Sequence, residues 1–390
     1  MDFNYSEEQD AVRQLAAQIC GERSTHERLK QVEAEAGDEG PIDRDLWREL
    51  AGAGLLGIHL GEEFGGAGLD FVAACLVIEA VGRTAAYVPV VETMVYGAVP
   101  IARFGTDAQR KTWLTGVANG DTILTAAMAE LVGEVILPGG TEPATTATAQ
   151  PDGSWVLTGT KACVPAALVA DAMLVPATCQ APDGAVSGVG VFIVDSGAEG
   201  LTLTRQTTTT GRPEAIAELA GVRVGADRLL GDGADAADGA EVVTAITEFA
   251  TTALCVQEAG VCASALELTA EYTKTRVQFD KPIATFQAVG QRAADAYVDT
   301  EAIRLTAWQA ASRLASGLPA ASEVAVAKYW AAEGGQRVVH AASHLHGGVG
   351  VDRDYPLHRY FLLTRQIELT LGGANESLRR LGRMLADDPA

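Results

Sequence analysis

Positive charge is in short supply in this chain. Its 390 residues carry 29 Lys and Arg against 51 Asp and Glu, a formal net charge of −22 at pH 7. So acidic a surface repels phosphate backbones and anionic lipid headgroups, which argues against nucleic acid or a membrane as partner. No apolar run of membrane-spanning length stands out. The opening Met1-Asp2-Phe3-Asn4-Tyr5-Ser6-Glu7-Glu8 has no basic start and no apolar core, so no secretory signal is expected. The six cysteines, Cys20, Cys75, Cys163, Cys179, Cys255 and Cys262, form no CxxC pair. Cys255 and Cys262 lie two helical turns apart, about 10 Å along the axis, too far to bond. Reduced, mostly buried thiols in a cytoplasmic protein are expected. HExxH, the P-loop and G-x-S-x-G are also missing, which removes the commonest zinc-protease, phosphate-loop and serine-hydrolase readings.

What is present has the length for two or three domains, at roughly 150 residues each. With 48% hydrophobic and 21% charged residues, the chain is neither disordered nor a coiled coil. The first third has helical patterns. Ser6 with Gln9 three residues on forms a capping-box signature. Ile42 to Ala53 is a helical stretch stopped by Gly54, and Phe71 to Val81 another with Gly82 as its C-cap. Further helices are expected over Val90–Phe104 and Thr106–Val117, the last with Asp107 at its start and Lys111 further on. Between two of them lies the glycine-rich turn Gly61 to Gly68.

From about Thr122 the hydrophobic period shortens. Ser154–Thr158, followed by a turn at Gly159-Thr160, then Ala172–Val175, Gly188–Val194, Leu201–Thr204 and Ala220–Val224 predict a small antiparallel β domain. Gly231 to Gly239 reads as an exposed linker. Beyond it, Val242, Ile246, Phe249, Ala253, Val256 and Gly260 step by fours and threes. Phe286, Val289, Ala293, Ala296, Thr300, Ile303 and Ala307 do the same, the spacing of long bundled helices. The expected domains are 1–121, helical; 122–235, β; and 236–390, a helical bundle.

Four features could carry chemistry. His340 and His344 stand four apart with His346 near, but no carboxylate or cysteine sits beside them at a matching spacing, and no metal is assigned. His346-Gly347-Gly348-Val349-Gly350 permits a tight turn or the approach of a phosphate. Arg276-Val277-Gln278-Phe279 ends a long helix, where an arginine suits the helix terminus or pairs with a phosphate, and the aromatic would tuck inward. Glu248, Glu258, Glu368 and Glu376 fall in or beside helices, where most glutamates are solvated.

Taken together, the chain resembles an acyl-CoA dehydrogenase over nearly its whole length. The resemblance rests on Leu46-Trp47-Arg48-Glu49-Leu50 through Gly65-Gly66-Ala67-Gly68-Leu69, on the Trp155–Lys161 segment, on Arg276-Val277-Gln278-Phe279-Asp280-Lys281-Pro282-Ile283 with Phe286-Gln287, and on His346–Gly350 followed by Tyr355-Pro356-Leu357-His358-Arg359. It implies an α+β fold with an N-terminal helical domain, a middle antiparallel β domain and a C-terminal four-helix bundle. It also implies FAD as cofactor, an acyl-CoA substrate and electron-transfer flavoprotein as acceptor. A glutamate of the family removes the α-proton, and the flavin of one subunit is completed by its neighbour, which binds the ADP half.

The departures from the family pattern divide the chain. Where many members carry the glutamate, Leu371-Gly372-Gly373-Ala374 places Gly372. The second known location, before an arginine early in the first bundle helix, reads Ala250-Thr251. Glu368 and Glu248 are the nearest substitutes. The flavin-contacting Trp-Ile-Thr becomes Cys163-Val164-Pro165, and the flavin loop becomes Ala129-Glu130-Leu131-Val132-Gly133-Glu134. The ADP-binding residues survive: Arg276, Gln278, Phe279, Gln287, Gly347 and Gly348, with His344 where many relatives have glutamine. The pattern resembles the non-catalytic small subunit of heteromeric α2β2 relatives acting on steroid side-chain or dicarboxylic acyl-CoAs. Such a subunit completes the FAD site of a second subunit that carries the catalytic Glu. The alternatives are a self-sufficient homotetramer with Glu248 or Glu368 as base, a catalytically silent assembly subunit, and a flavin oxidase of the same fold.

Overall fold

The computed structural model describes residues 5–131, 136, 142–231 and 239–387. They form two compact units, one from Met1–Leu29, Phe71–Ala86 and Thr251–Ala390, the other from Lys30–Asp70 and Tyr87–Ala250.

The N-terminal third is helical: α1 (Glu7–Arg23), α2 (His26–Ala34), α3 (Arg44–Gly52), α4 (Phe71–Thr84), α5 (Val99–Phe104) and α6 (Asp107–Asn119). The capping box is formed as its sequence predicts: Ser6 Oγ accepts from Gln9 N–H and Gln9 Oε1 from Ser6 N–H, both at 3.1 Å. A second box, Thr106 with Gln109, starts α6. The helix expected over Val90–Phe104 is π-helical from Val91 to Ala98 before continuing as α5. Gly82 is not a C-cap. α4 runs on to Thr84, and a Cβ on Gly82 would lie 2.3 Å from the carbonyl oxygen of Gln257.

The sheet holds eight strands: β1 (Leu124–Ala126), β2 (Ala129–Glu130), β3 (Thr146–Ala149), β4 (Trp155–Pro165), β5 (Ala172–Gln180), β6 (Val186–Asp195), β7 (Leu201–Arg205) and β8 (Glu214–Val224). Most pairings are antiparallel, but β5 lies parallel to both β1 and β3. β4 runs straight through Gly159-Thr160, so no turn forms there. The glycine instead lets Thr145 approach to 2.6 Å of where a Cβ would stand. Phe192, Leu157, Val175, Val222 and Leu219 lead the sheet's apolar core, with Trp155 edge-on to Phe192 at 5.4 Å. Inside it, Ala129 and Glu130 pair with Ala162 and Lys161, and Lys161 Nζ meets Glu130 Oε1 at 2.5 Å. Lys161 is fully buried and Glu130 nearly so. Burial pulls the lysine down to about 8, with Glu130 acting against that shift.

The remainder is α7 (Gly239–Thr275), a two-stranded hairpin of β9 (Val277–Gln278) and β10 (Lys281–Pro282), then α8 (Gln287–Ala315), α9 (Ala321–Tyr329), α10 (Gly335–His346), α11 (Leu357–Leu369) and α12 (Ala374–Asp387). Of the expected linker, residues 232–238 lie outside the described ones. Contrary to the sequence-based expectation, α7 contains an 18-residue window apolar enough to cross a membrane; 78% of that window is buried within the protein, the mark of a core helix. Val242, Ile246, Phe249, Ala253 and Val256 are all buried, as their spacing requires. Along α8 the stripe is graded: Ala296, Thr300, Ile303 and Ala307 are buried, whereas Val289 and Ala293 are half-buried.

Glu258 overturns the expectation of a solvated helix glutamate. It is 0% exposed on α7; Oε1 accepts from Thr364 Oγ1 at 2.8 Å and from Cys262 Sγ at 3.1 Å, while Oε2 has no hydrogen-bond partner. It fits because Gly335 has no side chain; a Cβ there would lie 2.4 Å from Oε1. Burial raises its pKa to about 8, only partly offset by the Cys262 and Thr364 hydrogen bonds. Nearby, the buried Lys328 donates to the carbonyl of Ile367 at 2.5 Å, one of the orphan acceptors at the end of α11.

Two outcomes follow from these buried groups. Between about pH 4.3, the unfolded glutamate value, and about 8, the folded chain keeps a proton on Glu258 that the unfolded chain has released. This group's contribution to stability is therefore lost as pH rises through that window. Urea midpoints of Glu258→Gln should lose that part of the decline relative to wild type between mildly acidic and alkaline pH. In the sheet, Lys161→Met strands a buried carboxylate and should cost about 3–5 kcal/mol in chemical denaturation, while Lys161→Met with Glu130→Leu should recover most of it.

Candidate functional site

Two of the segments picked out by sequence, the end of α7 and the end of α10, meet in the helical unit. α7 ends at Thr275, and Arg276 is pinned through its backbone. Its N–H donates to the Tyr272 carbonyl at 2.8 Å, and its own carbonyl accepts from Ile283 N–H at 2.9 Å. Its side chain is exposed and has no hydrogen bond or ion pair with the described residues. An arginine anchored through its backbone, with its guanidinium left unpaired among the described residues, suits a phosphate.

The hairpin that follows pairs Gln278 with Lys281 and Val277 with Pro282, leaving Phe279 and Asp280 as a two-residue turn. Both have positive φ, 52° and 63°, as a type I′ turn demands. Neither is glycine, so each costs on the order of 1–3 kcal/mol. The result reverses the expectation that Phe279 tucks inward. It is 86% exposed and meets Phe286 edge-on at 6.2 Å between ring centroids. Lys281 stands over the Phe286 ring at 4.5 Å. Gln278 donates its amide back to the Val277 carbonyl, and Gln287, the first residue of α8, is exposed.

The glycine turn closes the site. Gly347 has φ 62° and ψ −138°, a conformation essentially reserved for glycine, and its Cβ position faces open space, as does that of Gly348. His344 is exposed one turn before it, whereas His346 is buried and His340 meets Phe361 edge-on at 5.0 Å, so the three histidines have separate surroundings. A ring stack ties the two ends together: Tyr272, one turn before Arg276, lies 4.4 Å from His346, the residue before Gly347. A guanidinium unpaired among the described residues, an exposed glycine backbone and an exposed aromatic are groups that could hold the ADP half of a flavin dinucleotide.

The rim of β4 differs. Cys163 has φ 48° at a break in the β4–β8 register, and its N–H already donates to Gln206 Oε1 at 2.7 Å. Pro165 has no N–H, and its carbonyl accepts from Thr125 Oγ1 at 2.6 Å. The donors that an isoalloxazine ring would need on this strand are thus spent or missing, so the residues present do not fit the ring. Within the Ala129–Glu134 stretch Glu130 pairs with Lys161, while Val132, Gly133 and Glu134 lie outside the described residues.

Neither expected location of the base holds a carboxylate. Gly372 has φ 94° and follows Leu371 at φ 57°, a backbone turn that a glutamate would strain. Ala250 and Thr251 are buried. Glu368 is engaged by Arg365, and Glu248 is half-buried on α7. Glu376, in the first turn of α12, is exposed, as expected of a helix glutamate; its Oε2 lies 2.8 Å from where a Cβ on Gly372 would stand.

Comparison with known proteins gives the family. Family models for the N-terminal, middle and C-terminal domains of acyl-CoA dehydrogenases match residues 6–121, 138–221 and 237–384. Acyl-CoA dehydrogenase FadE27 of Mycobacterium tuberculosis is 39% identical over 398 residues, covering 100% of both chains. A chain of the structure described as a variant of the Tcur3481-Tcur3483 steroid ACAD is 43% identical with a TM-score of 0.87, covering 98% of both chains. One of the ChsE4-ChsE5 complex from Mycobacterium tuberculosis is 39% identical with a TM-score of 0.90, covering 100% of both. With its three domains matched in order and its relatives aligned end to end, the chain belongs to the acyl-CoA dehydrogenase family of FAD-dependent oxidoreductases.

Proposed function

We propose that this chain is the non-catalytic subunit of a heteromeric acyl-CoA dehydrogenase. It completes a partner's FAD site and supplies no catalytic base. The observation that carries the reading is the contrast between its two cofactor edges. Arg276, Gly347 and Gly348 are open to the ADP half, with Gln278, Phe279, Gln287 and His344 around them, while the β4 rim is closed by its own Gln206.

FAD bound in such a complex would supply the hydride-accepting chemistry for an acyl-CoA. The work of this chain is then to hold charge and shape. Arg276 neutralises a pyrophosphate, the glycine turn lets backbone approach it, and Phe279 covers an aromatic face. The partner subunit carries the glutamate and the flavin-ring cradle, and an electron-transfer flavoprotein takes the electrons. The substrate is an acyl-CoA with a steroid side chain or a dicarboxylic chain. Support for the partner and the substrate comes from the two solved relatives above, the ChsE4-ChsE5 complex and the Tcur3481-Tcur3483 steroid ACAD.

One observation favours a second reading, a self-sufficient homomer. The Glu376 carboxylate reaches the place of the missing Gly372 side chain. In that reading Glu376, rather than Glu248 or Glu368, is the base.

Purification decides between them. The heteromeric reading expects the chain alone to be flavin-free and inactive, and the co-purified complex to hold fewer flavins than chains. In that complex Arg276→Ala should weaken FAD retention about 10- to 100-fold, the loss of a charge-assisted hydrogen bond. One FAD per chain with turnover by the chain alone, abolished by Glu376→Gln, would overturn it.

A further inference from the structure

We infer that Tyr272, His346 and Tyr355 form a clamp that sets the spacing between Arg276 and the glycine turn, with His346 as a positioning residue for the flavin's ADP half. The inference rests on the proposed role of that edge. Its basis is a closed set of ring contacts among the end of α7, the end of α10 and the segment before α11, above a core cluster that Ala265, Val339, Ala342 and Leu357 share. The Tyr272 ring stacks on His346 at 4.4 Å with 25° between planes. Tyr355 stands edge-on to Tyr272 at 6.3 Å and tilted against His346 at 5.1 Å.

The hydrogen bonds fix the ring of His346 in its plane. Nδ1 lies 2.8 Å from the Ala342 carbonyl, which can only accept, so Nδ1 carries the proton and donates. Nε2 is then the acceptor, and the Tyr355 hydroxyl donates to it at 3.2 Å. The imidazole is 3% exposed, so both of its nitrogens are satisfied within the protein. Tyr355 is tethered in turn, its N–H donating to the Asp352 carbonyl at 3.2 Å and its carbonyl accepting from His358 Nδ1 at 2.7 Å.

Each end of the clamp leads directly to a ligand-facing group. The Tyr272 carbonyl holds the Arg276 N–H, and Arg276 has an unpaired side chain. His346 precedes Gly347, whose Cβ position meets nothing within 4 Å. On the other side of the turn Gly350 is packed, with a Cβ there 2.7 Å from the Ser343 carbonyl. The turn therefore has a fixed back and an open front, and the stack determines how far that front stands from the guanidinium. A bidentate phosphate contact tolerates little error in such a spacing.

The test measures ADP binding to the full-length chain by calorimetry, and FAD retention in the co-purified complex, beside thermal unfolding. Tyr272→Phe keeps the stack and should bind ADP as wild type does. Tyr272→Leu removes the stack, and Tyr355→Phe leaves Nε2 without its donor; each should weaken ADP and FAD about fivefold or more, the scale of one lost neutral hydrogen bond or ring contact. Tyr355→Phe should do so with little change in melting temperature. Arg276→Ala is the control for the underlying reading. If it leaves ADP and FAD binding unchanged, this edge is not the nucleotide site and the functional reading falls with the clamp. If it weakens both while Tyr272→Leu and Tyr355→Phe bind within twofold of wild type, the clamp alone is overturned. Equal losses in Tyr272→Phe and Tyr272→Leu would also overturn it.

Discussion

The helical unit depends on a close approach of backbone to backbone between α4 and α7. At Gly82 and at Gly260 a single added carbon would stand 2.3 Å from a carbonyl oxygen of the facing helix. Interior packing has no slack to absorb that. Because α7 is seated this deeply, Glu258 points into the core, where Gly335 makes room for it, and the last turn of α7 brings Tyr272 against His346. Burial then favours the neutral form of the carboxyl, and the end of the helix is delivered to the glycine turn.

Much of this was legible in the sequence, and the failures share a cause. Ser6 and Gln9 announced a helix start because a capping box is a local device, settled within four residues. The stripes of α7 and α8 announced bundled helices because their period is set by the helix itself. Gly82 and Gly159 were misread as a cap and a turn because a glycine demanded by a distant neighbour, Gln257 or Thr145, looks in sequence like one demanded by its own backbone. Glu258 was misplaced for the same reason: nothing beside it in the chain shows Thr364 or Gly335. Phe279 was misplaced because a two-residue turn with two positive φ angles ordinarily contains Asn or Gly, and here it contains Phe-Asp. At the proposed binding edge, Arg276 and Gly347-Gly348 were singled out from their motif. His346 was seen only as part of a histidine group, since its stack with Tyr272 joins residues 74 positions apart.

The missing base has a conformational side. Leu371 and Gly372 both take positive φ, so the link from α11 to α12 is built around a residue without a side chain. Replacing Gly372 by glutamate would strain that turn and set two carboxylates, its own and that of Glu376, against each other. The departure from the family pattern is therefore carried by the backbone as well as by the residue type. The β4 rim tells a parallel story, with Gln206 occupying the Cys163 N–H and Pro165 lacking one.

The exposed hairpin has a colloidal consequence. Val277 and Phe279 present apolar surface at 51% and 86% exposure on a short β ribbon, a kind of edge that invites non-specific contact between copies. A net charge of −22 opposes that contact by mutual repulsion whose reach shrinks with added salt, from about 10 Å at 0.1 M to about 3 Å at 1 M. The scarcity of positive charge thus keeps a sticky surface apart in dilute salt until something with matching chemistry covers it. Concentrated salt removes that protection while leaving the hairpin as it was.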